Sequence, residues 1–205
     1  MQLYLNQTSP FARFVRVVAL EKGLQDQLQL IAADPWNNDT ALQARHPQLR
    51  VPVLVTEDGQ AIAESMLIAQ YLELCGHGPA LVPVERAAAV LAHTSVAYGL
   101  MEAAFQVVIA RKYEGEAADG SVLGQRRLAA IDRALQQLEQ ALPDTLTMPM
   151  TLDTLATAVA VDYVRFRLPV LLETPSRPRL QAWLAQALQQ PHLAATGFDQ
   201  RLPSV

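Results

Sequence analysis

Hydrophobic positions in the first third of the chain fall into short runs broken by polar turns. Leu3–Leu5 reads as a strand, and Pro10 to about Gly23 as a helix with Phe14, Val17 and Val18 on its apolar face. Gly23 suits the position just past a helix end. Gln27–Ile31 alternates apolar and polar, the period of a half-buried strand, and residues 34–47, rich in Asn, Asp and Pro, predict an irregular stretch with one short helix. Val53–Thr56, the turn Glu57-Asp58-Gly59 and Ala61-Ile62 form a hairpin signal, and Ser65 opens a helix, SMLIAQYLELC, that stops near Gly76. The order β-α-β-α-β-β-α predicts a compact mixed sheet covered by helices.

Beyond GHGPALVP the period changes and no strand pattern follows. Glu85–Tyr113 is one long helical stretch with Met101, Phe105 and Val108 at helical spacing. Leu128, Ile131, Leu135, Leu138 and Leu142 mark an amphipathic helix over Gly124–Leu142. Thr151–Leu168 is apolar nearly all round, which predicts a buried central helix, and Arg177–Gln190 is a last amphipathic one. The expected organisation is an α/β domain over residues 1–75, a linker over 76–85 and an all-α domain over 86–205.

Bulk properties narrow the function. Hydrophobic residues make up 51% and charged residues 18% of the 205, which points to a packed globule. Apolar runs fall short of the roughly 20 residues of a membrane span, and no basic-then-apolar leader opens the chain, so neither membrane nor export is expected. A net charge of −4 without a dense Lys/Arg tract argues against nucleic acid. A single cysteine, Cys75, rules out an internal disulfide, fits a reducing cytoplasm and reads as a core residue. The four histidines are scattered without ligand spacing, so no metal site is expected.

Three short motifs carry candidate chemistry, and each also has a purely structural reading. In TSPFARFVR, Ser9 followed by Pro10 is an ordinary helix start. Equally, a Ser9 or Thr8 hydroxyl at the positive end of a helix can hold a thiolate. In RVPVL, Pro52 can simply start a strand; a cis bond there would instead hold the backbone of Val51 outward, free to pair with a peptide-like ligand. In AESMLIAQYLE, Ser65 can cap a helix, or Ser65 and the helix N–H groups can take a carboxylate while Glu64 takes an ammonium.

The order and spacing of these motifs resemble the glutathione S-transferase family over essentially the whole chain. The resemblance implies a thioredoxin-like N-terminal domain, an all-α C-terminal domain, glutathione as co-substrate and a homodimer in the cytoplasm. TSPF lies where serine- and cysteine-type members keep their active residue, so Ser9 is implied as the sulfur contact, with Thr8 the alternative. Val51, before a cis Pro52, would pair with the cysteinyl unit; Glu64 and Ser65 would bind the γ-glutamyl end, and Arg50 the glycyl end. Phe11 and Pro52 are implied at the glutathione site as well, and Met101, Phe105 and Tyr113 could line an apolar substrate pocket facing Phe11, though such a stripe also suits plain core.

A serine cannot form a mixed disulfide, which argues against disulfide exchange. The implied activity is transfer of glutathione to a small apolar electrophile, a detoxification role. Glutathione-dependent isomerisation, dehalogenation or peroxide reduction would use the same residues, and a non-catalytic scaffold of the same architecture is the alternative from another class. One departure stands out. Thr151-Leu152-Asp153-Thr154 puts a threonine where the family's capping box carries aspartate, so a weaker reciprocal bond is expected.

Overall fold

The computed structural model describes residues 1–143 and 145–200. The backbone divides into two compact units, Met1–Ala80 with the chain from Ala194 onward, and Leu81–Leu193. This differs from the sequence boundaries at both ends of the helical part. Residues 76–80 are fastened to the first unit through Lys22, whose carbonyl accepts from His77 N–H (2.9 Å) and whose Nζ donates to the Pro79 carbonyl (3.0 Å). The tail from Ala194 also joins the first unit, with the Phe198 ring against Arg13.

In the first unit β1 (Gln2–Leu5), β2 (Gln29–Ala32), β3 (Val53–Val55) and β4 (Ala61–Ala63) make one sheet of order β2-β1-β3-β4. β1 is parallel to β2 and antiparallel to β3, and β4 returns antiparallel on β3, with Leu3 opposite both Leu30 and Leu54. The helices of this unit are α1 (Pro10–Glu21), α2 (Thr40–Gln43) and α3 (Ser65–Cys75), and α1 packs on α3. Alternation along the strands gives each face its own core. Tyr4, Val53 and Val55 gather with Ala33 and with Leu42 of α2, while Leu3, Leu5 and Leu54, facing the other way, are buried like Phe14, Val17 and Val18 of α1. Both faces are therefore covered, which is why β1 and β3 are apolar almost throughout. β2 starts two residues later than its alternation suggests, because Gln25–Gln27 form a 3-10 turn.

The second unit holds α4 (Ala87–Glu114), α5 (Val122–Ala141), α6 (Leu152–Arg167), α7 (Pro169–Leu172) and α8 (Pro178–Ala187); α9 (Pro191–Ala194) follows. Among the described residues one stretch, Val84–Glu114, is long and apolar enough by composition to cross a membrane. Here α4 packs along α5 and α6. Leu155, Ala156, Ala158, Val159, Ala160 and Val161 of α6 are all fully buried, and the small alanines let neighbouring helices approach closely. At its start the reciprocal capping bond is made by threonine: Thr154 Oγ1 accepts from Thr151 N–H at 2.8 Å. The Thr151 hydroxyl in turn donates to Asp153 Oδ1 (2.5 Å). A threonine can serve here because its oxygen reaches the same N–H an aspartate would.

Candidate functional site in the first unit

The β1–α1 loop is built around Asn6. Its side-chain oxygen accepts from both the N–H (3.0 Å) and the hydroxyl (2.9 Å) of Thr8, and its carbonyl accepts from Ser9 N–H (3.1 Å). Such side-chain turns are a habit of Asn, and the N-x-T spacing was the signal that could have revealed this role. Ser9 then caps α1, its Oγ accepting from Ala12 N–H at 3.2 Å, with Pro10 at the first helical position. The two hydroxyls therefore differ. The Thr8 proton is spent on Asn6, whereas the Ser9 proton has no acceptor among the described residues. Ser9 is only 9% exposed, so a group reaching it comes through a narrow opening. Phe11, one residue into the helix, is half-buried.

The second component is the approach to β3. The Val51–Pro52 bond is cis, and Val51, half-buried, has no backbone hydrogen-bond partner among the described residues. Pro52 is buried at the strand entry. Leu49 takes a left-handed conformation (φ 53°) as the chain turns from His46 toward Arg50.

The third is the start of α3. Glu64 sits at φ 67° and ψ 114°, a backbone conformation that L-residues avoid, and its carbonyl accepts from Ile68 N–H. Glu64, at the N-cap position, makes no side-chain capping bond to this helix. Ser65 at the first position is buried. Glu64 Oε1 accepts from Arg50 Nη1 at 2.8 Å, and both side chains are more than half exposed. The structure thus brings Arg50 to Glu64, the residue implied for the γ-glutamyl end.

The three residues suggested for a substrate pocket lie in the other unit and are not alike. Met101 is fully buried, a packing position that no substrate reaches with the core closed; Phe105 is half-buried, and Tyr113 is 55% exposed beneath the Lys112 ammonium. A cavity of about 150 Å³ in that unit includes none of them; its lining has Val96, Leu138, Pro149 and Thr157, with Arg86 and His93 among the polar residues. Cys75 is exposed at the end of α3, contrary to a core role, because it follows Leu74 on the outer side of the helix. A hydrogen bond with Cys75 raises the Tyr71 phenol above its ordinary range. Among the described residues no cluster of His, Cys, Asp and Glu is disposed to hold a metal.

Residues 8–74, which include Thr8, Ser9, Val51, Pro52, Glu64 and Ser65, match the family model for the N-terminal domain of glutathione S-transferases. The uncharacterized GST-like protein YibF of Escherichia coli (strain K12) is 37% identical over 174 residues, covering 82% of this chain and 83% of that protein. The chain belongs to the glutathione S-transferase family. Glutathione S-transferase L1 of Arabidopsis thaliana is 26% identical over 195 residues, 90% of this chain and 76% of that protein. The crystal structure of a glutathione transferase family member from Pseudomonas fluorescens Pf-5, with bound glutathione, superposes with a TM-score of 0.84 at 26% identity. It covers 96% of this chain and 98% of that one. The small mixed sheet with its helices is accordingly the thioredoxin-like fold of the glutathione transferases, followed by their helical region.

Proposed function

We propose that this family member binds reduced glutathione in the first unit and transfers it, as the thiolate, to a small apolar electrophile. The observation that carries the reading is the Ser9 hydroxyl. Its oxygen is engaged by Ala12 N–H while its proton has no acceptor among the described residues, at the positive end of a twelve-residue helix. A donor so placed favours the anionic form of a bound thiol. Thr8 supports the loop instead, since its proton goes to Asn6.

The cysteinyl unit pairs with the free backbone of Val51. The γ-glutamyl carboxylate takes Ser65 and the first N–H groups of α3, and the Glu64 carboxylate takes the ammonium. Arg50, held at Glu64 by 2.8 Å, serves the anionic groups around that end of the ligand. In the reaction the thiolate sulfur forms the new bond to the electrophilic carbon, and the leaving group departs with its electron pair. Stabilising the sulfur anion before attack is then the main electrostatic task of the site.

Leu67 and Leu74 leave apolar surface on α3, which supports a homodimer, and sedimentation velocity tests it. The cytoplasm is the proposed compartment.

Calorimetric titration with reduced glutathione, in two buffers of different ionisation enthalpy, tests the assignment. Binding with proton release near neutral pH is expected. No binding at millimolar glutathione would overturn it in favour of a non-catalytic scaffold.

A further inference from the structure

The tail of the first unit is fastened on both sides of Ser9. Two residues before it, Gln7 Nε2 donates to the Gln200 carbonyl at 2.5 Å. Four residues after it, the Arg13 guanidinium lies over the Phe198 ring, 4.5 Å from the centroid. Arg13 is itself buried, and its N–H donates to the Ser9 carbonyl at 3.0 Å. Asn6 secures Thr8 and Ser9 from within the loop, whereas the Gln7 side chain reaches out to the tail.

The tail is shaped to provide these anchors. Gln200 N–H donates to the Gly197 carbonyl (3.1 Å), and Thr196 and Phe198 are buried. A side chain at Gly197 would place its Cβ 2.6 Å from Asp199 Oδ1, so the Asp199 side chain would have to move aside. Chain ends without such ties are ordinarily loose.

We infer that residues 194–200 form a positioning element for the sulfur site, with Gln7 and Phe198 as positioning residues that act through the β1–α1 loop on Ser9. The inference rests on the transferase reading above. Hydrogen-bond strength falls steeply with misalignment, so a small displacement of the Ser9 hydroxyl weakens its bond to a thiolate. Binding of the rest of glutathione draws on Val51, Glu64 and Ser65, at the approach to β3 and the start of α3 rather than in the β1–α1 loop. A loosened tail therefore changes the ionisation of the bound thiol more than it changes affinity.

The test uses the full chain with Gln7→Glu, which removes the donor and sets a carboxylate against the Gln200 carbonyl, and Gln7→Lys, which restores a donor. Phe198→Leu removes the ring on the other side. Gln7 lies on an exposed bond, so its variants keep the test informative if Phe198→Leu fails to fold. The ultraviolet absorbance of the thiolate of bound glutathione is followed against pH, and kcat and KM are measured separately.

In Gln7→Glu and Phe198→Leu the thiol's apparent pKa should rise by about half a unit to one unit, with kcat at neutral pH falling about 3- to 10-fold. KM for glutathione should stay within about twofold, the loss should vanish at high pH, and Gln7→Lys should recover most of it. A lowered melting temperature with an unchanged thiol pKa would show a merely structural tail and overturn the inference, as would a change confined to KM. Absence of a thiolate signature in the unmodified protein would instead overturn the transferase reading, and this inference with it.

Discussion

Replacing Ser9 by alanine removes two bonds with different consequences. The first is the cap: Ser9 Oγ accepts Ala12 N–H at 3.2 Å, and losing an N-cap of this kind costs about 1 kcal/mol. In a chain of this length that lowers the melting temperature by about 2–4 °C. The second is the uncommitted proton. A hydrogen bond to a charged group is worth about 1.5–3 kcal/mol, so its loss raises the pKa of the bound thiol by about 1–2 units.

The sign follows directly. The thiolate is the reacting form, so below the raised pKa its fraction falls tenfold per pH unit. The kcat/KM for a chlorodinitrobenzene, at saturating glutathione and neutral pH, should drop about 10- to 100-fold and recover as pH rises. Ser9→Gly separates the effects, because glycine keeps all but a few tenths of a kcal/mol of the cap while lacking the hydroxyl. It should melt close to the parent yet share the kinetic defect of Ser9→Ala, and Ser9→Thr should rescue both. If Ser9→Ala melts lower but its pH–rate profile superimposes on the parent's, the serine is a helix cap and the mechanism is refuted.

Other perturbations probe the remaining parts. Arg50→Met breaks an ion pair whose partners are both more than half exposed, so unfolding free energy should move by less than about 1 kcal/mol. Glutathione affinity should nonetheless fall and lose salt dependence, and an unchanged Kd at low salt would remove Arg50 from the site. Glu64→Gly relieves a side chain from φ 67°, so chemical denaturation should show stability unchanged or raised while glutathione binding weakens at least about tenfold. Burial pushes the Tyr163 phenol up to about 12, so the folded state resists ionisation that the unfolded chain permits. Its contribution is therefore full below the ordinary tyrosine range and lost as pH rises from about 10 toward 12. Urea midpoints across that window should fall in the parent and fall less in Tyr163→Phe.

Much of the first unit was legible because its signals are local. A serine-proline pair opens α1, an Asp-Gly turn closes the hairpin, and α3 runs from Ser65 to Cys75 as its pattern indicated. The element order also follows from short-range alternation, and the buried all-apolar α6 follows from its composition. The exposure of Cys75 was not legible, since an apolar helix end reads alike whether it faces a core or solvent. Nor was the full burial of Met101, because helical spacing marks a face without saying what covers it.

Composition and spacing thus determined a mixed α/β unit followed by helices, while the residues assigned to a glutathione site were implied by the family resemblance of three short motifs. Local hydrogen bonding and periodicity act over a few residues, and a sequence states them outright. Tertiary structure alone decided which hydroxyl keeps a free proton, that Arg50 meets Glu64 fourteen positions away, and that the tail returns to Gln7 and Arg13. The last two are through-space contacts between distant positions, whereas the Thr8 and Ser9 bonds span only two and three residues and depend on the loop conformation that the fold selects.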